Sequence, residues 1–272
     1  MGWLFLLLAI AGYVAMNFVM KLGSLRGLNS SELTGSLFAL ASFYCLLILI
    51  LSGQALNFTL PVILLAIAGG AGGAIAYFFF LQALKIGSYA LTISIYTMTF
   101  LNPVIFSIIF WDRQLTTLIT LGILLIIAGI ILISLAGATS ESQQSGLFIK
   151  WLIFLAATFF LTGIPQISQA AAVRLAEINL WSYLFLTFLA GALVFIIYLA
   201  AKKIKLPPQA LSSGALAAAG SVAGNFFTLK ALAKLPEPVV FPVIQAGPII
   251  AAVILSLAYF KERIKPAAYF GI

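Results

Sequence analysis

The chain has 272 residues, 64% of them hydrophobic and 7% charged, with a net charge of +8 and a mean hydropathy of +1.21. Soluble domains are roughly 45–50% apolar and about 25% charged, so a soluble fold of this size has no way to hide so much apolar surface, and lipid must be the solvent for most of it. Histidine is absent and Cys45 is the only cysteine, which excludes a disulfide framework and a Cys/His metal site within one chain.

The first apolar run, Gly2 to Met20, has no basic residue ahead of it and is followed by Lys21 and Arg26. It reads as a retained helix rather than a cleavable signal peptide. A crossing needs about 20 mostly apolar residues. On that rule the first half carries helices over 2–20, 33–52, 61–84, 88–111 and 116–136. The polar stretch Gly137 to Gly146 is a linker by composition. Beyond it come helices over 148–168, 178–200, 210–232 and 237–260, and a tenth begins at Pro266 and is cut off at Ile272. The expected organisation is all-α: a polytopic membrane helix bundle with a repeat over 1–136, a linker over 137–147 and a second repeat over 148–272.

The halves match when shifted by 148 or 149 positions. Trp3-Leu4 falls on Trp151-Leu152, Arg26 on Arg174, Gly72 on Gly220, Phe79 on Phe227, and Ala83-Leu84 on Ala231-Leu232. Later, Gly122-Ile123 falls on Gly271-Ile272. A constant shift with constant helix spacing carries more weight than any single match between apolar sequences. Five crossings is an odd number, so the second repeat must enter the membrane upside down. Inverted repeats characterise secondary transporters, whose substrate sites lie at the repeat interface near the midplane. Because Leu121-Gly122-Ile123 opens most of a helix and Phe270-Gly271-Ile272 opens nothing, the sequence reads as a fragment whose tenth helix is truncated.

Ten basic residues fall on one side (Lys21, Arg26, Lys85, Lys150, Lys202, Lys203, Lys205, Lys261, Arg263, Lys265) and four on the other (Arg113, Arg174, Lys230, Lys234). The positive-inside rule then puts the N-terminus outside and the linker in the cytoplasm. The same rule accounts for the net charge without nucleic acid. Lys85, Lys230 and Lys234 close helices and snorkel to the interface, with attraction of anionic substrates or headgroups as the alternative.

All six acidic residues, Glu32, Asp112, Glu141, Glu177, Glu237 and Glu262, fall at helix ends or in loops. A proton-coupled pump usually keeps a carboxylate or histidine at mid-membrane, so their placement favours a facilitator or exchanger. Neutral polar residues do occur at mid-helix: Tyr13, Asn17, Tyr77, Tyr96, Thr97, Asn102, Thr162, Gln166, Asn225 and Gln245. Tyr77 pairs with Asn225, and Thr97 with Gln245, at the 148 shift. All but Thr162 are taken as candidate substrate-binding residues, the competing role being hydrogen bonds between helices. Gly69-Gly70-Ala71-Gly72-Gly73, and Gly220, Ser221 and Gly224, read as close helix packing. Pro103, Pro165, Pro242 and Pro248 mark possible helix breaks, with Pro103 and Pro248 as repeat-related candidates for gating. There is no nucleophile paired with a base, no metal-ligand cluster and no Walker sequence, so the sequence offers no catalytic residue, no metal site and no cofactor.

Phe80-Leu81-Gln82-Ala83-Leu84-Lys85, Asn102-Pro103 and Gly122 through Ala128-Gly129 recur in the second half as Leu229-Lys230-Ala231-Leu232, Gly247-Pro248, Lys261-Glu262-Arg263 and Gly271. With Asn17-Phe18-Val19 leading to Lys21, this pattern resembles the EamA type of the drug/metabolite transporter superfamily over nearly the whole chain. The resemblance implies ten helices in two inverted five-helix repeats that move small organic metabolites, often amino acids or related compounds, frequently outward. It also implies both termini in the cytoplasm, against the charge count. Asp112-Arg113 follows Pro103 more closely than Glu262-Arg263 follows Pro248, a departure between the repeats. The expected partners are the lipid bilayer and a small-molecule metabolite, with the chain a monomer or homodimer. An exporter of drugs or a lipid-linked sugar, or a non-transporting membrane scaffold, are the competing functions.

Overall fold

The structure is a computed structural model that describes residues 1–54, 58–137, 145–175 and 178–255. Glu141, Glu177, most of the predicted linker, the motif Lys261-Glu262-Arg263 and the predicted tenth helix lie outside the described residues. Among the described residues ten α-helices run in order: α1 (Gly2–Leu25), α2 (Ser30–Leu51), α3 (Leu60–Ile86), α4 (Tyr89–Thr97), α5 (Leu101–Trp111), α6 (Thr117–Gly137), α7 (Ser145–Ala172), α8 (Leu180–Ala201), α9 (Pro208–Leu232) and α10 (Glu237–Leu255). There is no strand among the described residues. In hydrocarbon an unpaired backbone amide costs several kcal/mol, and the helix pairs every amide internally.

Among the described residues a helix covers each of the nine segments predicted before Pro266, α4 and α5 together covering the fourth and α10 the ninth as far as Leu255. A 3₁₀ turn, Met98–Phe100, separates α4 from α5. The sequence puts the interruption at Asn102-Pro103, and the turn lies one helical turn earlier. The reason is local: the proline ring crowds the carbonyl four residues back, that of Thr99, and removes the amide that would have bonded to it. Pro165, Pro242 and Pro248 lie inside continuous helices, α7 and α10. Pro248 therefore does not interrupt its helix as Pro103 does. The first half supplies five of these segments, the odd number that an inverted repeat requires.

The chain divides into two compact units, each drawing on both halves: residues 1–75 with 167–235, and residues 76–166 with 236–272. In the first unit α9 packs on α1 and α2, and α2 on α8. The α1–α9 approach is backbone on backbone. A Cβ on Gly12 would sit 2.6 Å from the Gly224 amide nitrogen, and one on Gly220 would sit 2.7 Å from the Gly12 carbonyl oxygen. The small residues at 220 and 224 are therefore packing residues, as van der Waals association in lipid demands. Cys45 is buried in the same core with Leu37, Ala41, Tyr183 and Phe188. In the second unit Ala83, Trp151 and Leu155 form a buried cluster. There Trp151 Nε1 donates to Thr92 Oγ1 at 3.0 Å. Arg113 Nε meets the Glu237 carboxylate at 2.9 Å, tying the end of α5 to the start of α10.

Candidate functional site

In the second unit the polar side chains gather at the 3₁₀ turn. Thr99 is fully buried, and its hydroxyl donates to the Tyr96 carbonyl at 2.7 Å. A hydroxyl has one hydrogen and two lone pairs, so Thr99 Oγ1 is left able only to accept. Two amides use it: Gln245 Nε2 from α10 at 3.3 Å and Gln166 Nε2 from α7 at 3.5 Å. Both glutamines must therefore point their nitrogens at Thr99, which fixes the direction of their oxygens. Gln166 Oε1 is buried without a partner, as is Thr162 Oγ1, one turn earlier on the same face of α7. They are two of the three such atoms among the described residues, so unmet hydrogen-bonding capacity is concentrated here. A buried polar atom left unpaired costs about 1–3 kcal/mol, and a clustered pair is a strain that function can account for.

Asn102 completes the turn. Its Nδ2 donates to the Thr99 carbonyl at 3.0 Å, replacing the amide that Pro103 lacks, and to the Phe159 carbonyl of α7 at 2.9 Å. Gly163 makes room for it, since a Cβ there would sit 2.6 Å from Asn102 Cβ. Beside the turn, the Tyr96 ring lies 4.4 Å from the Phe80 ring, and the Tyr77 ring lies 5.7 Å from that same ring.

In the first unit a separate network joins α7 to α9. Gln169 Nε2 donates to Asn225 Oδ1 at 2.6 Å, and Asn225 Nδ2 donates to the Ser221 carbonyl at 2.8 Å. Thr228 donates to the Gly224 carbonyl at 2.7 Å, so in the 3.3 Å pair with Tyr13 it is the tyrosine that donates. By the same logic Ser168 gives its hydrogen to Leu65 O at 2.6 Å and accepts from Tyr183 at 2.7 Å. Among the described residues no group of three His, Cys, Asp or Glu is placed to hold a metal ion.

The sequence profile of the EamA-like transporter family matches residues 1–135 and, a second time, residues 146–272. The chain belongs to the EamA-like transporter family. One solved structure, described as "Crystal structure of protein", superposes on it with a TM-score of 0.80 at 16% identity, covering 99% of this chain and 92% of the other. At that identity the likeness shows the fold alone. No curated protein matches the chain. As an EamA-like protein it is a multi-pass membrane protein of a transporter family, and among the described residues seven helical segments are long and apolar enough to cross a bilayer.

The candidate residues of this EamA-like protein fall in two groups. Tyr77, Tyr96, Asn102, Gln166 and Gln245 belong to the second unit, with buried Pro103 beneath the turn. Thr97 is there too, but its hydroxyl is bonded to the Ile93 carbonyl of its own helix at 2.9 Å. Tyr13, Asn17 and Asn225 belong to the first unit. Asn17 is exposed, one turn beyond Tyr13 on the same face of α1. Sequence reasoning did not single out Thr99, the centre of the cluster, or Gln169, Ser168 and Thr228. Thr99 had one signal available: it stands four residues before Pro103, where a proline frees a carbonyl.

Proposed function

We propose that this EamA-like protein carries a small, polar, amine-bearing metabolite, an amino acid or a related compound, across the bilayer by alternating access between its inverted repeats. The solute binds at the Thr99, Gln166 and Gln245 cluster. The observation that carries the reading is the unpartnered Gln166 Oε1. Its amide is oriented by Thr99, so the atom presented is an acceptor, and an acceptor at that depth calls for a donor. An ammonium or amide N–H supplies one, and Thr162 Oγ1 offers a second acceptor one turn away. Tyr77 and Tyr96 flank the turn with apolar ring faces suited to the carbon skeleton of such a solute. The cluster contains no ionisable side chain, which favours facilitated or exchange transport of a net-neutral solute.

The test is uptake, exchange and efflux by proteoliposomes against a panel of amino acids, their N-acetylated forms and 2-oxo-acid analogues, which carry no donor in place of the amine. The N–H-bearing members are expected to move and the 2-oxo-acid analogues to move at least tenfold more slowly. Equal rates for both series sink the assignment of Gln166. No movement of any solute sinks the carrier reading and favours a scaffold.

A further inference from the structure

The first unit carries an open groove of about 470 Å³ between α2, α8 and α9, among whose walls are Tyr44, Trp181, Ala219, Ala223, Phe226 and Phe227. Its volume lies within the range of about 300–1,000 Å³ usual for small-molecule sites. Every side chain lining it is apolar or aromatic, so nothing there suits the polar metabolite proposed for the second unit. The α9 wall ends on a charge. Ala219, Ala223, Phe226 and Lys230 follow one another at spacings of four, three and four, a single helix face. Lys230 lies in the last turn of α9, and its Nζ stands 5.5 Å from the Phe226 ring centroid. Trp181, the second residue of α8, stacks on Phe226 at 4.3 Å between centroids and 10° between planes. The end of α9 and the start of α8 reach the same membrane surface, where tryptophan and lysine typically mark the headgroup level.

We propose that this groove holds one phospholipid with an anionic headgroup, an acyl chain lying between α2, α8 and α9 and the phosphate region against Lys230. An apolar slot within the membrane that ends at a cation is complementary to such an amphiphile along its length. Hydrocarbon fills the slot, and the ammonium, held over a ring face, points its remaining donors at the headgroup. A neutral lipid satisfies the first requirement and only part of the second. This site is independent of the transported solute.

The experiment is native mass spectrometry of the full chain in mild detergent, titrated with dioleoylphosphatidylglycerol or dioleoylphosphatidylcholine. One phosphatidylglycerol is expected to stay bound with about fivefold preference over phosphatidylcholine. Lys230→Gln removes the preference and leaves phosphatidylcholine binding unchanged. Ala219→Phe, at an exposed position in the groove wall, blocks both lipids with the melting temperature unchanged. Ala223→Leu gives the same result should A219F melt early. The proposal is overturned by a preference that survives K230Q, by lipid binding that survives both groove-filling variants, or by a lipid-free dimer.

Discussion

Thr99→Val keeps the shape of the side chain and deletes the hydroxyl on which the second unit's cluster depends. Three hydrogen bonds go with it: the 2.7 Å bond to Tyr96 O and those from Gln245 at 3.3 Å and Gln166 at 3.5 Å. The two long bonds lie beyond the usual N–H···O distance and sit at the weak end, about 0.6 kcal/mol each in a membrane. The short one reaches roughly 1.7 kcal/mol. Together they come to about 2–3 kcal/mol, and even half of that, expressed in solute binding, raises the half-saturating concentration about tenfold. The assay is saturation of uptake by proteoliposomes, alongside melting in detergent. Thr92→Val is the control. It removes a 2.7 Å bond to Ser88 O and the 3.0 Å bond from Trp151 in the same unit, away from the cluster. T92V is expected to melt early and keep wild-type half-saturation, whereas T99V shifts both and Thr99→Ser restores both. Wild-type half-saturation in T99V, or an equal shift in T92V, refutes the reasoning.

Gln166→Leu removes a buried orphan acceptor and one weak bond, so it is expected to raise the melting temperature by about 2–4 °C, the equivalent of about 1 kcal/mol, while uptake falls at least tenfold; a thermally weakened but active variant contradicts this. Gly12→Ala drives a Cβ to 2.6 Å from the Gly224 amide nitrogen and should cost several kcal/mol, read as lost folded yield. Gly122→Ala, which meets nothing within 4 Å, should be neutral in the same assay. Because the cluster is free of ionisable groups, collapsing a proton gradient across proteoliposomes is expected to leave the uptake rate unchanged, and a rate that tracks the gradient would falsify the neutral-carrier view.

The crossings were legible because hydropathy and helix length are one-dimensional properties, and lipid leaves the backbone few alternatives. The polar inventory was legible as well, but the partner of each group was not. Thr97 and Gln245 are repeat equivalents, yet Gln245 bonds to Thr99 instead. Both threonines give their hydrogen to a carbonyl one turn back, Thr97 to Ile93 and Thr99 to Tyr96. What separates them is the 3₁₀ turn at Met98–Phe100, and only the structure shows where that turn sits. The pairing of Tyr77 with Asn225 met a different obstacle: the compact units cut across the repeats, and these two equivalents belong to different units.

The two repeats also answer their prolines differently, and that difference makes a last prediction. Pro103 deprives the Thr99 carbonyl of its amide, and Asn102 Nδ2 supplies a substitute at 3.0 Å. In the equivalent helix of the second repeat Pro248 follows Gly247, which has no side chain to offer, and α10 stays continuous. The 3₁₀ turn is then a product of the pair Asn102-Pro103 rather than of proline alone. In Pro103→Ala the backbone amide returns to Thr99 O and Asn102 keeps only its bond to Phe159 O. Asn102→Ala should therefore cost about 1–2 kcal/mol in the wild type and roughly half that in the Pro103→Ala background, a coupling of about 0.5–1 kcal/mol measured by a double-mutant cycle on unfolding. Strict additivity would mean that Asn102 acts through α7 alone. Coupling of the expected size would mean that the asparagine holds open the turn carrying Thr99, so P103A would also weaken solute binding without touching any polar side chain of the cluster.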